Sequence, residues 1–216
     1  MVKYSKITKV FQLSLVIIFI LVLLGLFVPQ QFQNISFYLK NLLTTSVGWF
    51  YLLLVTGILI FCVFLIVSPI GQIRLGNPTS RPEHSTTSWI AMMFSAGMGI
   101  GLVFYGAAEP LSHFAISTPN AEIGSADALA DAFRFTFFHW GFHAWAVYAL
   151  VGLSLAYFGF RKREKYQLSV VFKPLFGKYA DGPIATIIDT ITIIATVIGV
   201  ATTLGFGASQ INGGLS

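Results

Sequence analysis

Charge is scarce in this sequence. Asp, Glu, Lys and Arg together make up 10% of its 216 residues, against about 25% in an ordinary soluble domain. Hydrophobic residues reach 56%, so water is not the main solvent of the chain. Cysteine is nearly missing: Cys62 stands alone, which excludes a disulfide framework and a cysteine metal cluster. Low-complexity tracts, heptads and short internal repeats are absent as well, so neither a coiled coil nor a repeat array is indicated. The net charge of +5 comes from bases split among several loops rather than gathered on one face, which makes nucleic acid a poor partner. No nucleophile, paired carboxylate or convincing metal set stands at one depth, which argues against an enzyme.

What the sequence does have is long apolar runs. A spanning helix needs about 20 mostly apolar residues, and five candidates satisfy this: Ile7 to Val28, Val47 to Val67, a third from Trp89, a fourth from Phe133 to Phe158, and a fifth from Ile184 to about Ala208. The first exceeds the usual apolar length of a signal peptide and no small-residue cleavage pattern follows, so it reads as a retained helix. Basic residues collect in loops left in the cytoplasm. Lys3, Lys6 and Lys9, then Arg74 and Arg81, then Arg161, Lys162, Arg163, Lys165, Lys173 and Lys178 mark three inner segments. The segments between them hold Lys40 and Arg134 with Glu109, Glu122, Asp127 and Asp131, and read as outer. The N-terminus is therefore expected in the cytoplasm of a multi-pass protein of the cell membrane.

The loop "SPIGQIRLGNPTSRPEHSTTS" separates two plain apolar helices, residues 1–70, from a core of residues 89–216, with residues 71–88 as a cytoplasmic connection. Further on, Ser125 is an expected N-cap with Asp127 and Asp131 near the positive end of the helix dipole. Asp181 lies near the start of the fifth helix, with Pro183 in its first turn. Asp189 sits deeper in that helix, where an acid is a functional candidate, although its closeness to the cytoplasmic end favours a structural role.

Gly97, Gly99 and Gly101 recur at every second position of the third run, and Gly106 and Pro110 follow. A phosphate-binding loop needs a preceding strand and another spacing. Close helix packing explains Gly97 and Gly101, one turn apart, but not Gly99 on the opposite side. A local unwinding accounts for all three, because glycine tolerates non-helical angles and releases carbonyls that a cation or substrate can then satisfy. In the fourth run, a helix advancing about 100° per residue, Trp140, Trp145 and Tyr148 share one broad face, Tyr148 about 80° and Trp145 about 140° from Trp140. Such rings attract a desolvated cation, and several of them form a cage for a quaternary ammonium; interfacial anchoring is the competing explanation. His139 and His143 are four apart, a spacing compatible with a metal, but hydrogen bonding to neighbouring helices is the default.

Three stretches in register, "AGMGIGLVFYGAAEPLSHF", "FHWGFHAWAVYALVGLSLAY" and "IDTITIIATVIGVATTLGFGASQINGGLS", resemble the betaine/carnitine/choline transporter family from about Ser85 onward. The resemblance implies an all-α integral membrane protein whose five transmembrane helices form the N-terminal part of a leucine-transporter-like inverted-repeat fold, with the first repeat incomplete. It implies secondary import of glycine betaine or a related quaternary-ammonium solute, no cofactor, sodium as co-transported ion, a lipid bilayer as surroundings and a homotrimer when complete. Trp140, Trp145 and Tyr148 match the family's aromatic box, and Gly97, Gly99 and Gly101 match its unwound, substrate-facing segment. Carbonyls at Ser95 and Met98 match one sodium site, and the Thr196 hydroxyl matches a second. Val200 stands where sodium-coupled members carry another threonine, and Gly101 where proton-coupled choline carriers carry an aspartate. Choline or carnitine transport, or a non-transporting membrane subunit or sensor, are the alternative functions.

Overall fold

The computed structural model describes residues 7–97, 99–116, 118 and 121–215; Lys3 and Lys6 of the inner N-terminal segment lie outside them. Among the described residues every regular element is a helix. Four helical stretches are long and apolar enough to cross a membrane, or five when one bent pair counts as a single span. The chain divides into two compact units, Met1–Leu54 with Gly152–Ile198, and Val55–Val151 with Gly199–Ser216.

Helix α1 covers Lys9–Phe27, and the Thr8 hydroxyl caps it by accepting from the Phe11 amide at 3.2 Å. It stops at Val28, whose φ of −136° and ψ of 52° leave the helical region, because the residue before a proline is crowded out of the α conformation. Pro29 then opens helix α2, Pro29–Val67, as a proline at the first helical position can. Residues 29–46, expected as an outer loop, are therefore helical. Back-bonding explains the tolerance for polar residues here: the Ser36, Thr44 and Thr45 hydroxyls donate to the carbonyls of Phe32, Lys40 and Asn41 at 2.7–3.0 Å. At 39 residues α2 extends roughly 58 Å at 1.5 Å per residue, well beyond a hydrocarbon core of about 30 Å.

After a loop pinned by the Arg74 guanidinium on the Pro78 carbonyl at 2.7 Å, helix α3, Thr86–Gly97, starts behind Ser85, whose hydroxyl accepts from the Ser88 amide at 3.2 Å. Helix α4 follows at Ile100–Ala115, bent 53° from α3. Helices α5, Ala126–Trp140, and α6, Phe142–Ala156, meet at Gly141. Ser125 caps α5 as expected, accepting from the Ala128 amide at 3.1 Å. Asp127 lies in the first turn, but Asp131 serves more than the dipole: it is buried and paired with Arg134 at 2.9 Å.

The connection after α6 widens into a π-helical turn, Tyr157–Arg161, and leads to the short helices α7, Leu168–Val171, and α8, Lys173–Phe176. Helix α9, Pro183–Leu215, completes the described chain. Asp189 accepts from the Ser169 amide at 3.0 Å and from its hydroxyl at 2.8 Å, with both residues buried. This favours the structural reading of that acid: it closes the start of α7 onto α9. Asp181 is engaged by Lys173 at 3.2 Å.

Candidate functional site

The interruption between α3 and α4 lies at the glycines. Gly99 is extended, with φ −70° and ψ 159°, angles open to any residue, and a side chain there would meet nothing within 4 Å. Its glycine is thus not required by the backbone. Gly97 is different: a Cβ on it would lie 3.2 Å from the Trp145 ring. Gly101, one turn beyond, faces the Trp140 ring, which a Cβ there would meet at 3.8 Å, ordinary van der Waals contact. The two glycines bracket the break and each backs one tryptophan. Ser95 falls in the last turn of α3, where helical carbonyls have no partner in their own helix. Met98 lies outside the described residues.

The three rings lie on one candidate span, Ala126–Arg161, whose helix is locally interrupted at Gly141. Its ψ of −145° departs from the helical region while the hydrogen bonds from Gly141 to Phe137 and from Trp145 to Gly141 carry the ladder on, and a Cβ there would sit 2.2 Å from the Phe137 carbonyl oxygen, so only glycine fits. Trp140 is consequently the last residue of α5, while Trp145 and Tyr148 belong to α6. The rings form two sets. Trp140 stacks on Tyr105 at 5.3 Å, and Tyr105 meets Phe206 of α9 edge-on at 5.2 Å. Trp145 and Tyr148 tilt against each other at 5.5 Å and are 41% and 71% exposed. Both sets border the same break through Gly97 and Gly101.

Sequence reasoning placed Glu109 in an outer loop and His139 beside His143. Glu109 instead lies on α4, half-buried, and accepts from the Trp140 Nε1–H at 2.6 Å and from His139 Nδ1. His113 Nε2 stands 3.5 Å from the same carboxylate, whereas His143 packs on Phe138 at 4.6 Å. The signal was present: an acid within a span needs partners at its own depth. Glu109, His113 and His139 offer donor atoms within 4.8 Å of one another, a two-histidine carboxylate set of the kind that suits zinc. Both carboxylate oxygens are, however, already hydrogen-bonded. Thr196, on α9, donates its hydroxyl to the Thr192 carbonyl at 2.8 Å and is otherwise exposed.

Residues 9–216 match the family model described as BCCT, betaine/carnitine/choline family transporter. The chain belongs to that family. It is 53% identical over 212 residues to the glycine betaine transporter OpuD of Bacillus subtilis, covering 98% of this chain and 41% of that protein. A glycine betaine transporter of Acinetobacter baylyi is 44% identical over 96% of this chain and 31% of its own length. The ectoine/hydroxyectoine transporter of Virgibacillus pantothenticus is also 44% identical, over 95% of this chain and 41% of its own length. The chain thus spans less than half the length of these curated relatives. As a BCCT-family chain it is a multi-pass membrane protein of a transporter family, and the glycine break, the tryptophans and Glu109 all lie within the matched region.

Proposed function

We propose that this chain forms the N-terminal part of a secondary carrier that imports glycine betaine or a related quaternary-ammonium solute, coupled to sodium. The observation that carries the reading is the placement of two tryptophans, Trp145 and Trp140, against Gly97 and Gly101 on either side of an interrupted helix. A trimethylammonium group has no N–H to donate, so aromatic faces are its natural partners, worth about 2 kcal/mol or more per well-placed ring when water is excluded. Trp140, Trp145 and Tyr148 take this role. The substrate carboxylate is served by the amides that open α4 behind Gly99, at the positive end of the helix dipole.

Sodium prefers oxygen ligands, and carbonyls in the last turn of a helix, where Ser95 lies, have no acceptor role in their own helix and can supply them, with the Met98 carbonyl as the other ligand expected from the resemblance. Thr196 contributes a second site, its hydroxyl proton held by Thr192 so that its lone pairs face outward. The complete carrier is a homotrimer of leucine-transporter-like subunits in the cell membrane, with its N-terminus in the cytoplasm. The test is uptake of radiolabelled glycine betaine by the complete carrier in proteoliposomes. Uptake should follow an imposed sodium gradient and stop when the gradient is collapsed. Sodium-independent exchange would overturn the coupling. The relative that carries ectoine makes that zwitterion the competitor to include, and uptake of ectoine without betaine would reassign the cargo.

A further inference from the structure

We propose that Glu109 is the positioning residue for Trp140, fixing the indole against the broken helix by a two-point grip on the end of α5. Trp140 is the last residue of α5, next to the interruption at Gly141. Glu109 holds its indole from the neighbouring helix α4. Its Oε2 accepts from the indole Nε1–H at 2.6 Å and its Oε1 pairs with the Nδ1 of His139, and a carboxylate acceptor makes such bonds stronger than those between neutral groups. His139 and Trp140 are adjacent in sequence, so two consecutive side chains of α5 close on one carboxylate of α4.

With both oxygens held, the carboxylate cannot swing away, and the indole plane is set where it stacks on Tyr105 and covers Gly101. The side chain of Glu109 is 13% exposed, which shields the bond from competing water. His113, 3.5 Å away, adds a second imidazole against the charge that a carboxylate inside a span has to balance. An indole that donates to an anion is also polarised toward a more electron-rich ring. That strengthens its attraction for a cation, a consequence that rests on the carrier reading above.

The test compares Glu109→Ala, Glu109→Gln and Trp140→Phe in the complete carrier. Glu109→Ala should raise KM for glycine betaine about tenfold, the scale of one lost hydrogen bond to a charged group, while the maximal rate changes far less. Glu109→Gln, whose amide oxygen still accepts, should recover most of the affinity. Trp140→Phe keeps a ring but has no N–H, and should reproduce the KM rise; adding Glu109→Ala to it should cost nothing more. Fully additive effects, or a glutamine variant no better than alanine, would overturn the proposal. A substrate-free reading comes from the indole N–H band in ultraviolet resonance Raman difference spectra against Trp140→Phe. Loss of the strongly hydrogen-bonded position in Glu109→Ala supports the grip even if wild type takes up no betaine, in which case only the carrier reading falls. An unchanged band sinks the grip whatever is transported.

Discussion

Gly97 carries no side chain where Trp145 already fills the space. A methyl group there would start 3.2 Å from the ring, tight but relieved by a shift of a few tenths of an ångström, whereas a branched side chain would displace the indole. Overpacking of this kind costs about 1–3 kcal/mol. Gly97→Val is therefore expected to raise KM for glycine betaine by about tenfold or more, and Gly97→Ala by less than about threefold, in the same uptake measurement. Equal effects of the two would show that the ring is not seated on this glycine. The identity of these residues was legible in the sequence, but their pairing was not: nothing in a helical repeat says which tryptophan rests on which glycine. Lys173 offers a pH-dependent test. Its ammonium group lies 3.2 Å from Glu164 and 3.2 Å from Asp181, and these hydrogen bonds, that to Glu164 first, hold its pKa above the ordinary lysine value of 10.5. The folded state thus keeps the proton longer than the unfolded one. Its stabilisation is complete below the ordinary value and fades as pH rises through the elevated one. As pH rises past the ordinary lysine value of 10.5, the melting temperature of wild type should fall more steeply than that of Lys173→Met; parallel curves would remove the effect.

Among the elements, the two interruptions differ in what enforces them. The α3–α4 break runs through an extended Gly99 that any residue could replace conformationally, whereas the α5–α6 turn depends on Gly141, where a Cβ would collide with the Phe137 carbonyl. Gly141→Ala should consequently straighten or destabilise that junction. The expected readout is a melting temperature lowered in detergent together with weaker betaine binding, and Gly99→Ala should be milder in stability. If Gly141→Ala melts like wild type, the turn does not need its glycine. The sequence pattern predicted the first break because alternate glycines are a local signal. It missed the second because one glycine inside a long apolar run is ambiguous until the carbonyl facing it is known. Asp189 is an element-scale feature too, since it ties α7 to α9 through two hydrogen bonds from Ser169. Hydrogen bonds to a charged acceptor contribute about 1.5–3 kcal/mol each. Asp189→Ala should therefore lower stability by roughly 2–4 kcal/mol, allowing for partial compensation, and Asp189→Asn by less. Chemical denaturation checks the order, and an alanine variant no less stable than asparagine would contradict it.

For the whole molecule, orientation is the property that charge predicts and labelling decides. With Cys62 replaced by serine and any cysteines elsewhere in the complete carrier removed, a single cysteine at Lys162 should react with an impermeant maleimide only after the membrane is opened. One at Glu122 should react from outside intact cells; the reverse pattern would invert the topology. The membrane class, the two plain leading helices, the cap at Ser125, the broken third span and the family were all settled by the sequence alone. Each rests on local physics: how long an apolar run is, which residues start or stop a helix, which motif follows which. The continuation of α2 through residues 29–46 was hidden because polar residues hydrogen-bonding back to their own helix look like a loop in composition. Only the tertiary structure could decide that Glu109 serves Trp140 and His139, that Gly97 and Gly101 each seat a tryptophan, and that the aromatic rings divide at Gly141. Those facts depend on which helix faces meet, and a meeting of faces is a relation between distant segments that no single stretch of residues encodes.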